Sequence, residues 1–494
     1  MLGVTSPLSL ASSSESDHQL ELDLVTVLKQ QKAYEPTEKS LLRKKVLDTL
    51  DQLTKQFVIE TSISQGVSPH DAKQINAKVM TYGSYRLGVH AEDADIDTVC
   101  LLPRNISRLD FFDKMRSILL TQPGIESLNA VQDSFVPVMK FKFFNIHIDL
   151  VCTILPFSKI PENLDANDPS LLRLMDLRCI RSFNGTRVAD ELLCLVPNVD
   201  TFQIALRCIK LWATKRGIYS NVVGFLGGVA WAILVARVCQ LYPNACASTI
   251  VSKFFRIIGQ WNWPSPVLLK TIEEASMPGD TQPWNPRLNA RDREHKMPII
   301  TPSYPSMCTT HNVTASSMKL VIGELKSAAE IVDRVMIGAA SWNDLFTENN
   351  FFQLYQHYIQ VVVSADDHDS LLEGSGLVES RLRQLLMKLE TSPQIALAHP
   401  FIEGIEDSRH CSQKQHLYEF IGADPPATEE DRTAQVDQTF YSKTFYVGLY
   451  VRFEVSQPRD LDISHQVNAF VKQTQLHDGF DKRHMKLNIR YMNR

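Results

Sequence analysis

The 494-residue chain is too long for one compact core, and at ~100–200 residues per domain it implies two to four domains. Its apolar (44%) and charged (22%) fractions lie near globular averages, which excludes a mostly disordered or fibrous chain. A net charge of −5, from 56 acids against 51 bases, excludes a uniformly basic coat for nucleic acid but leaves room for a local basic channel. The nine cysteines are scattered without a CxxC pair, so neither a zinc ribbon nor a disulfide framework is expected, and a reducing compartment fits. The N-terminus carries no basic segment ahead of its short apolar stretch. The most apolar run, Val222 to Ala236, is shorter than the ~20 residues of a spanning helix and reads as a buried core helix. A soluble intracellular protein with no membrane association is expected.

In chain order, residues 1–20 are Ser-rich and read as flexible or draped over another domain. Helical spacing runs from Asp23 to about Ser64, through Leu24, Val27 and Leu28, then Leu41, Leu42, Val46, Leu47, Leu50 and Leu53. An α/β stretch follows, with one strand over Ile96 to Leu102 and another over Phe141 to Val151. From about Pro161 to Ala339 the pattern is mainly helical, with a Pro-rich loop (PRLNARDREHKMPIITPSYP). Within it, Asp200 to Lys215 reads as a helix closed near Gly217, with Phe202, Leu206, Ile209 and Ala213 as its buried stripe. Arg207, Lys210 and Thr214 share the other face, which by pattern alone is a solvated basic surface. The last third turns to a β–α–β layout. Tyr358 to Val363 is β-branched, and Leu371 to Glu390 is an amphipathic helix with its stripe on Val378, Leu382, Leu385 and Leu389. Thr444 to Val455 is a strand with Phe445, Val447, Leu449, Val451 and Phe453 on one face. The fold class expected is multidomain α+β: a mixed sheet with helices, a helical middle and a small C-terminal α+β domain.

The segment Met80 to Val99, MTYGSYRLGVHAEDADIDTV, carries the chemistry. Asp95 and Asp97 flank Ile96 at a strand start, so their carboxylates share a face while Ile96 turns to the core. Unneutralised, such a pair repels, and a hard divalent cation is its natural partner. Asp149, on the face opposite Ile146, Ile148 and Leu150, is a third acid. If the two strands are neighbours, ~5 Å apart, three carboxylates can hold two ions flanking an in-line displacement at phosphorus. An isolated DxD is more often a pair of solvated loop acids. Here Gly83-Ser84 lies upstream on a turn, where glycine permits close backbone approach to phosphate and a helix N-terminus offers free N–H groups.

The Gly-Ser…Asp-x-Asp…Asp pattern resembles the nucleotidyltransferases of the DNA-polymerase-beta type. The wording YGSYRLGVHAEDADID, then DLRCIRSFNGTRVADELLCLVPN and LRCIKLWATKRGIYSNVVGFLGGVAW, resembles eukaryotic nuclear poly(A) polymerase. WNPRLNARDREHKMPIITPSYP and FFQLYQHYI extend the likeness, which covers roughly residues 3–480. The resemblance implies a nucleotidyltransferase domain at 43–157, a helical middle domain at 158–338 and an RNA-binding domain at 339–494. That last domain would be ferredoxin-like and RRM-related, and residues 1–42 would pack with the middle domain. It implies template-independent transfer of AMP from ATP to RNA 3′ ends in mRNA polyadenylation, with pyrophosphate released and two Mg²⁺ ions, or Mn²⁺ in their place, on Asp95, Asp97 and Asp149.

By the same resemblance Tyr82, Gly83 and Ser84 touch the ATP phosphates, with Tyr in place of the usual Phe. Lys210 and Tyr219 reach the triphosphate, Asn221 the adenine, and Gly228 and Val229 line the pocket. Asn184 meets the primer end and Lys140 lies on the RNA side. Ala91 stands where the family usually has Thr, which removes a hydroxyl contact. Thr444 to Val455 spells no RNP1 motif, so backbone electrostatics through Lys and Arg, rather than base stacking, is the expected RNA contact. A monomer is expected, working with mRNA 3′-end processing factors in the nucleus. The ending DKRHMKLNIRYMNR is not a convincing import signal, which leaves the cytoplasm open. The alternatives are a terminal transferase of other nucleotide preference and an inactive paralogue that binds RNA or processing factors. The presence of all three acids argues against the latter, and IYSNVVGFLGG argues against a CCA-adding enzyme.

Overall fold

The computed structural model describes residues 3–132, 134, 136–273, 282–423, 428–452 and 461–494. Of the two fates expected for the Ser-rich N-terminus, the second holds: it drapes over the helical middle. The Leu8 N–H donates to the Leu241 carbonyl at 2.8 Å, Asn244 Nδ2 to the Leu10 carbonyl at 2.7 Å, and the Cys246 N–H to Ser13 Oγ at 2.7 Å. The helix expected from Asp23 starts earlier and runs Glu15–Gln30, because Ser14 and Asp17 close a capping box. The next helix, Thr37–Ser64, buries Val46, Leu50, Leu53 and Phe57. Leu41 is 64% exposed rather than part of that stripe. Extended back by one turn, the buried row falls on Arg43, not Leu41.

Five strands form the first sheet: β1 (Lys78–Thr81), β2 (Ile96–Leu102), β3 (Ile125–Val131), β4 (Val138–Phe143) and β5 (Ile146–Ile154), in the order β1-β2-β5-β4-β3. β2 and β5 are parallel and the other pairs antiparallel. The single strand expected over Phe141 to Val151 is therefore a hairpin. Phe144 and Asn145, both with positive φ (48° and 62°), turn β4 into β5. Two left-handed residues make the tight turn that suits strand twist, but without the glycine that usually announces it. Phe144 is held there by stacking on Phe143, ring centroids 5.1 Å apart.

The middle of the chain is built on helices Leu177–Leu195, Val199–Lys215, Gly228–Leu241, Ala247–Gly259 and Ala315–Met336. The apolar run at 222–236 is only partly helical. Val222 to Gly227 form a loop through Gly224 (φ +95°), and the helix starts at Gly228 and is buried from Ala230 onward. Among the described residues no single helix is long and apolar enough to cross a membrane.

The C-terminal sheet comprises β6 (His357–Ala365), β7 (Ile395–Pro400), β8 (Ile405–Gln413), β9 (Gln435–Val451) and β10 (Met485–Asn493). Its order is β10-β6-β9-β7, with β8 against β9. With helices His368–Leu389 and Ser464–Gln475 between strands, the order is that of a ferredoxin-like βαββαβ unit carrying an insertion. Val378, Leu382, Leu385 and Leu389 are buried as the periodicity requires, as are Phe445, Val447 and Leu449. β9 begins before Thr444, and Phe453 and Val455 lie outside the described residues. One continuous core joins the helical middle (Trp212, Trp231, Phe254) to this sheet (Ile359, Val361, Phe445). The first sheet has two further cores, the larger around Phe57, Phe111 and Phe141 and the smaller reaching helix Leu177–Leu195 through Phe183.

Because Asn145 sits in the left-handed region, Asn145→Val is expected to destabilise the chain by about 1–2 kcal/mol, while Asn145→Gly should be neutral or slightly stabilising. Urea midpoints of the two variants check this, and equal midpoints would remove the turn's constraint.

Candidate active site

The parallel register of β2 and β5 sets Asp97 directly opposite Asp149, with Asp95 one residue before β2. Ligand oxygens of the three carboxylates all lie within 4.8 Å of one another. Ile96, Ile148 and Leu150 are buried beneath them, as strand alternation requires. The segment leading to Asp95 is clasped by Arg43, itself buried. Its Nη2 donates to the Ala94 carbonyl at 2.6 Å and the Glu92 carbonyl at 3.1 Å, while its Nε pairs with Glu35. His90 completes the group, 3.1 Å from Glu35 Oε2. Burying an ion pair is tolerable only with such additional hydrogen bonds.

Gly83 is required by this packing. It has φ +61°, and a Cβ there would lie 2.1 Å from Asp97 Oδ2. Tyr82 lies against Gly185, where a Cβ would come within 2.7 Å of its ring. Burial, reinforced by the charges of Asp95 and Asp149, pushes the Asp97 carboxyl up to about 7, with Lys140 and Lys210 opposing the shift. Lys140 Nζ sits 2.5 Å from Asp149 Oδ2. An all-oxygen donor set carrying more negative charge than its lysines offset is the chemistry of a site for a hard divalent cation.

A cleft of about 620 Å³ opens beside the acids. Tyr82, Gly83, Ser84, Asp95 and Asp97 form one wall, and Lys210, Tyr219, Gly228 and Val229 the other. Lys210 is not on a solvated surface. Its Nζ donates to the Val89 carbonyl at 3.1 Å, and burial, then Arg207, lowers its pKa to about 8 against the pull of Asp95 and Asp97. Arg207 is also no surface residue: it donates to the carbonyls of Ala33, Gly88 and His90 at 2.6 to 2.8 Å. Three carbonyls meeting one guanidinium hold the Gly88–His90 turn against the helix. Of Gly227-Gly228, which by pattern alone would be a helix-packing contact, Gly228 instead lines the cleft. A Cβ on Gly228 would lie 2.6 Å from Tyr219 Oη.

Asn184 also lines this cleft, its Oδ1 buried and without a partner among the described residues. Asn221 does not line it. It is exposed on the loop just beyond, its Cβ 3.2 Å from where one on Gly227 would be. Lys140 and Asp149 line a second, shallower cleft of about 420 Å³ with His147, and Asp95 lines both. Arg181 and Thr301 are cleft residues that sequence reasoning missed. Arg181 precedes Asn184 by about one helical turn, a signal that was legible, whereas Thr301 comes from the Pro-rich loop and gave none. A larger groove of about 920 Å³ along the outer edge of β1 contains none of the expected site residues.

Three acids on neighbouring strands, beside a Gly-Ser turn and a cleft bearing a lysine, define a nucleotidyltransferase. The chain belongs to the poly(A) polymerase family. It matches the poly(A) polymerase nucleotidyltransferase domain over residues 3–196, the central domain over 201–348 and the predicted RNA binding domain over 350–494. Poly(A) polymerase pla1 of Schizosaccharomyces pombe is 41% identical over 517 aligned positions, covering 99% of this chain and 91% of that protein. PAPa of Candida albicans is 42% identical (88% of this chain, 78% of its own), and PAPalpha of the same organism 40% (95% and 86%). Among solved structures, Cid1, described for its RNA terminal uridylyl transferase activity, is 13% identical with a TM-score of 0.47, over 67% of this chain and 99% of its own. That likeness is too distant to bear on nucleotide choice.

The raised Asp97 carboxyl makes a signed prediction for the metal-free protein. An unfolded Asp titrates near 3.9, so between about 4 and 7 the folded chain binds the extra proton and Asp97 loses stability for it as pH rises. Asp97→Asn should match the wild type at pH 4 and exceed it by on the order of 1–3 kcal/mol at pH 8 in EDTA. Chemical denaturation at both pH values measures this. A stability difference independent of pH would show that Asp97 is not raised.

Proposed function

We propose that this chain adds AMP from ATP to the 3′ end of RNA without a template. The observation that carries the reading is the meeting of two clefts at Asp95, within a chain of the poly(A) polymerase family. One cleft is deep and partly apolar, suited to a nucleoside triphosphate. The other is shallow and open beside Lys140, suited to a strand end. The primer 3′-oxygen attacks the α-phosphorus, the bond to the oxygen bridging to the β-phosphate breaks, the hydroxyl proton is lost, and pyrophosphate departs. Asp95, Asp97 and Asp149 would hold Mg²⁺, or Mn²⁺, which when bound supplies Lewis-acid stabilisation of the charge that builds on the phosphate.

The chain's own residues orient the two substrates. Lys210, whose burial disfavours its charge in the absence of ligand, gains a polyphosphate as counter-ion and is held protonated. Tyr219 and Gly228 bracket the nucleotide on the wall opposite the acids. Asn221, exposed on the loop beside Gly227, offers the base edge an amide that can both donate and accept. Lys140, released from Asp149 when a cation takes its place, becomes available to the primer backbone.

Asp149→Ala is expected to abolish AMP incorporation into a labelled RNA while the far-UV spectrum stays native, and near-normal turnover would overturn the assignment. Asn221→Ala should reduce ATP use more than UTP or CTP use, by about tenfold for one or two neutral contacts. Assays with each of the four nucleotides separately measure that ratio, and an equal loss for all would make Asn221 a structural residue.

A further inference from the structure

The loop between Tyr219 and Gly228 is tied at both ends to the nucleotide cleft, yet its tip faces away from it. Tyr219 and Leu226 form an isolated parallel bridge that closes the loop, and inside it the Gly224 N–H donates to the Asn221 carbonyl at 3.2 Å and the Phe225 N–H to the Ser220 carbonyl at 2.9 Å. The tip then packs outward. Gly224 fits against the segment entering helix Ala315–Met336, where a Cβ would lie 3.0 Å from the Asn312 carbonyl oxygen. Asn312 Nδ2 donates to the Asn221 carbonyl at 3.1 Å. Phe225, fully buried, sets its ring edge to face at 5.9 Å on His399 of β7, which is hydrogen-bonded to Tyr355 at 2.7 Å.

The N-terminus of that helix is in turn held by a carboxylate from the C-terminal domain. Glu390, just past helix His368–Leu389, accepts from Thr314 Oγ1 and from the Ser316 N–H, both at 2.7 Å, and from the Ala315 N–H at 3.3 Å. Thr314 and Ser317 already form the helix's own capping box, so the carboxylate is added to a terminus that was capped without it. Charge-assisted bonds to free N–H groups at a helix N-terminus are among the stronger in proteins. The Ala398 N–H on β7 adds a bond to Ser316 Oγ at 3.0 Å.

We propose that Glu390 and Phe225 are positioning residues for ATP. Through Thr314, Asn312 and Gly224 they fix the Tyr219–Gly228 loop to the C-terminal domain, so that the domain expected to hold RNA also sets the nucleotide wall. The inference rests on reading the 620 Å³ cleft as the ATP site. Neither residue touches that cleft, so neither is itself catalytic.

The test uses the full chain with Glu390→Gln, which keeps the size of the side chain but removes its charge, and Phe225→Leu, which keeps the site apolar. Both should raise the KM for ATP at least about fivefold, the low end for coupled sites, with kcat and the primer KM within about twofold of the wild type. Without substrates, hydrogen exchange at the Gly224 and Phe225 amides should accelerate in Glu390→Gln, although Glu390 is bonded to neither. Faster exchange confined to residues 315–318, with an unchanged KM for ATP, would make Glu390 only a helix cap and overturn the proposal. A rise in primer KM instead of ATP KM would do the same. Calorimetric titration of the wild type with ATP separates the two readings. If ATP does not bind, the nucleotide assignment fails, while the exchange arm still decides whether the loop is coupled to Glu390.

Discussion

The parallel pairing of β2 with β5 is the constraint on which the site depends. It sets Asp97 opposite Asp149, a separation no local segment could guarantee because more than forty residues of chain lie between the strands. Burial of Asp97, reinforced by the repulsion that results, moves its carboxyl titration into the neutral range. Two lysines, a buried arginine clasp and a glycine that no other residue could replace keep the cluster assembled. The rest of the first sheet is scaffolding for that pair: β1 brings the Gly83 turn beside Asp97, and β4 brings Lys140 beside Asp149.

Much of this was legible in the sequence because it is written in short-range pattern. Asp95 and Asp97 flank a buried isoleucine, Asp149 alternates with Ile148 and Leu150, and the helix carrying Lys210 shows its apolar stripe at the right period. What escaped was set by tertiary partners. Arg207 and Lys210 have the pattern of a solvated face and are half-buried because the Gly88–His90 turn folds onto them. The turn at Phe144-Asn145 was hidden because Phe is not a usual turn former and the Asn is not followed by glycine.

Glycine was the residue most easily misread. Gly224, Gly227 and Gly228 sit in an otherwise continuous apolar run, and composition alone makes that run a helix. Each in fact meets something specific: the Asn312 carbonyl, the Asn221 side chain and the Tyr219 hydroxyl respectively. Three close approaches in five residues convert half of an apolar segment into a loop, at whose end Gly228 lines the cleft. Nothing in the apolar content of the run distinguishes the two outcomes, because the information lies in the partners, which are distant in sequence for Gly224 and near for the others.

The distribution of cores has a mechanical consequence. The helical middle and the C-terminal sheet share one core, which also takes in Leu87 and Val89 beyond the Gly83 turn, and the smaller core of the first sheet reaches helix Leu177–Leu195 through Phe183. The cleft between the first sheet and Lys210, Tyr219 and Gly228 is therefore bridged, because Leu87 and Val89 line it and belong to the core of the helical middle. Widening the cleft would draw on Leu87 and Val89, and parting the middle from the C-terminal sheet would expose Ile359, Val361 and Phe445, so both boundaries are held by buried apolar contacts.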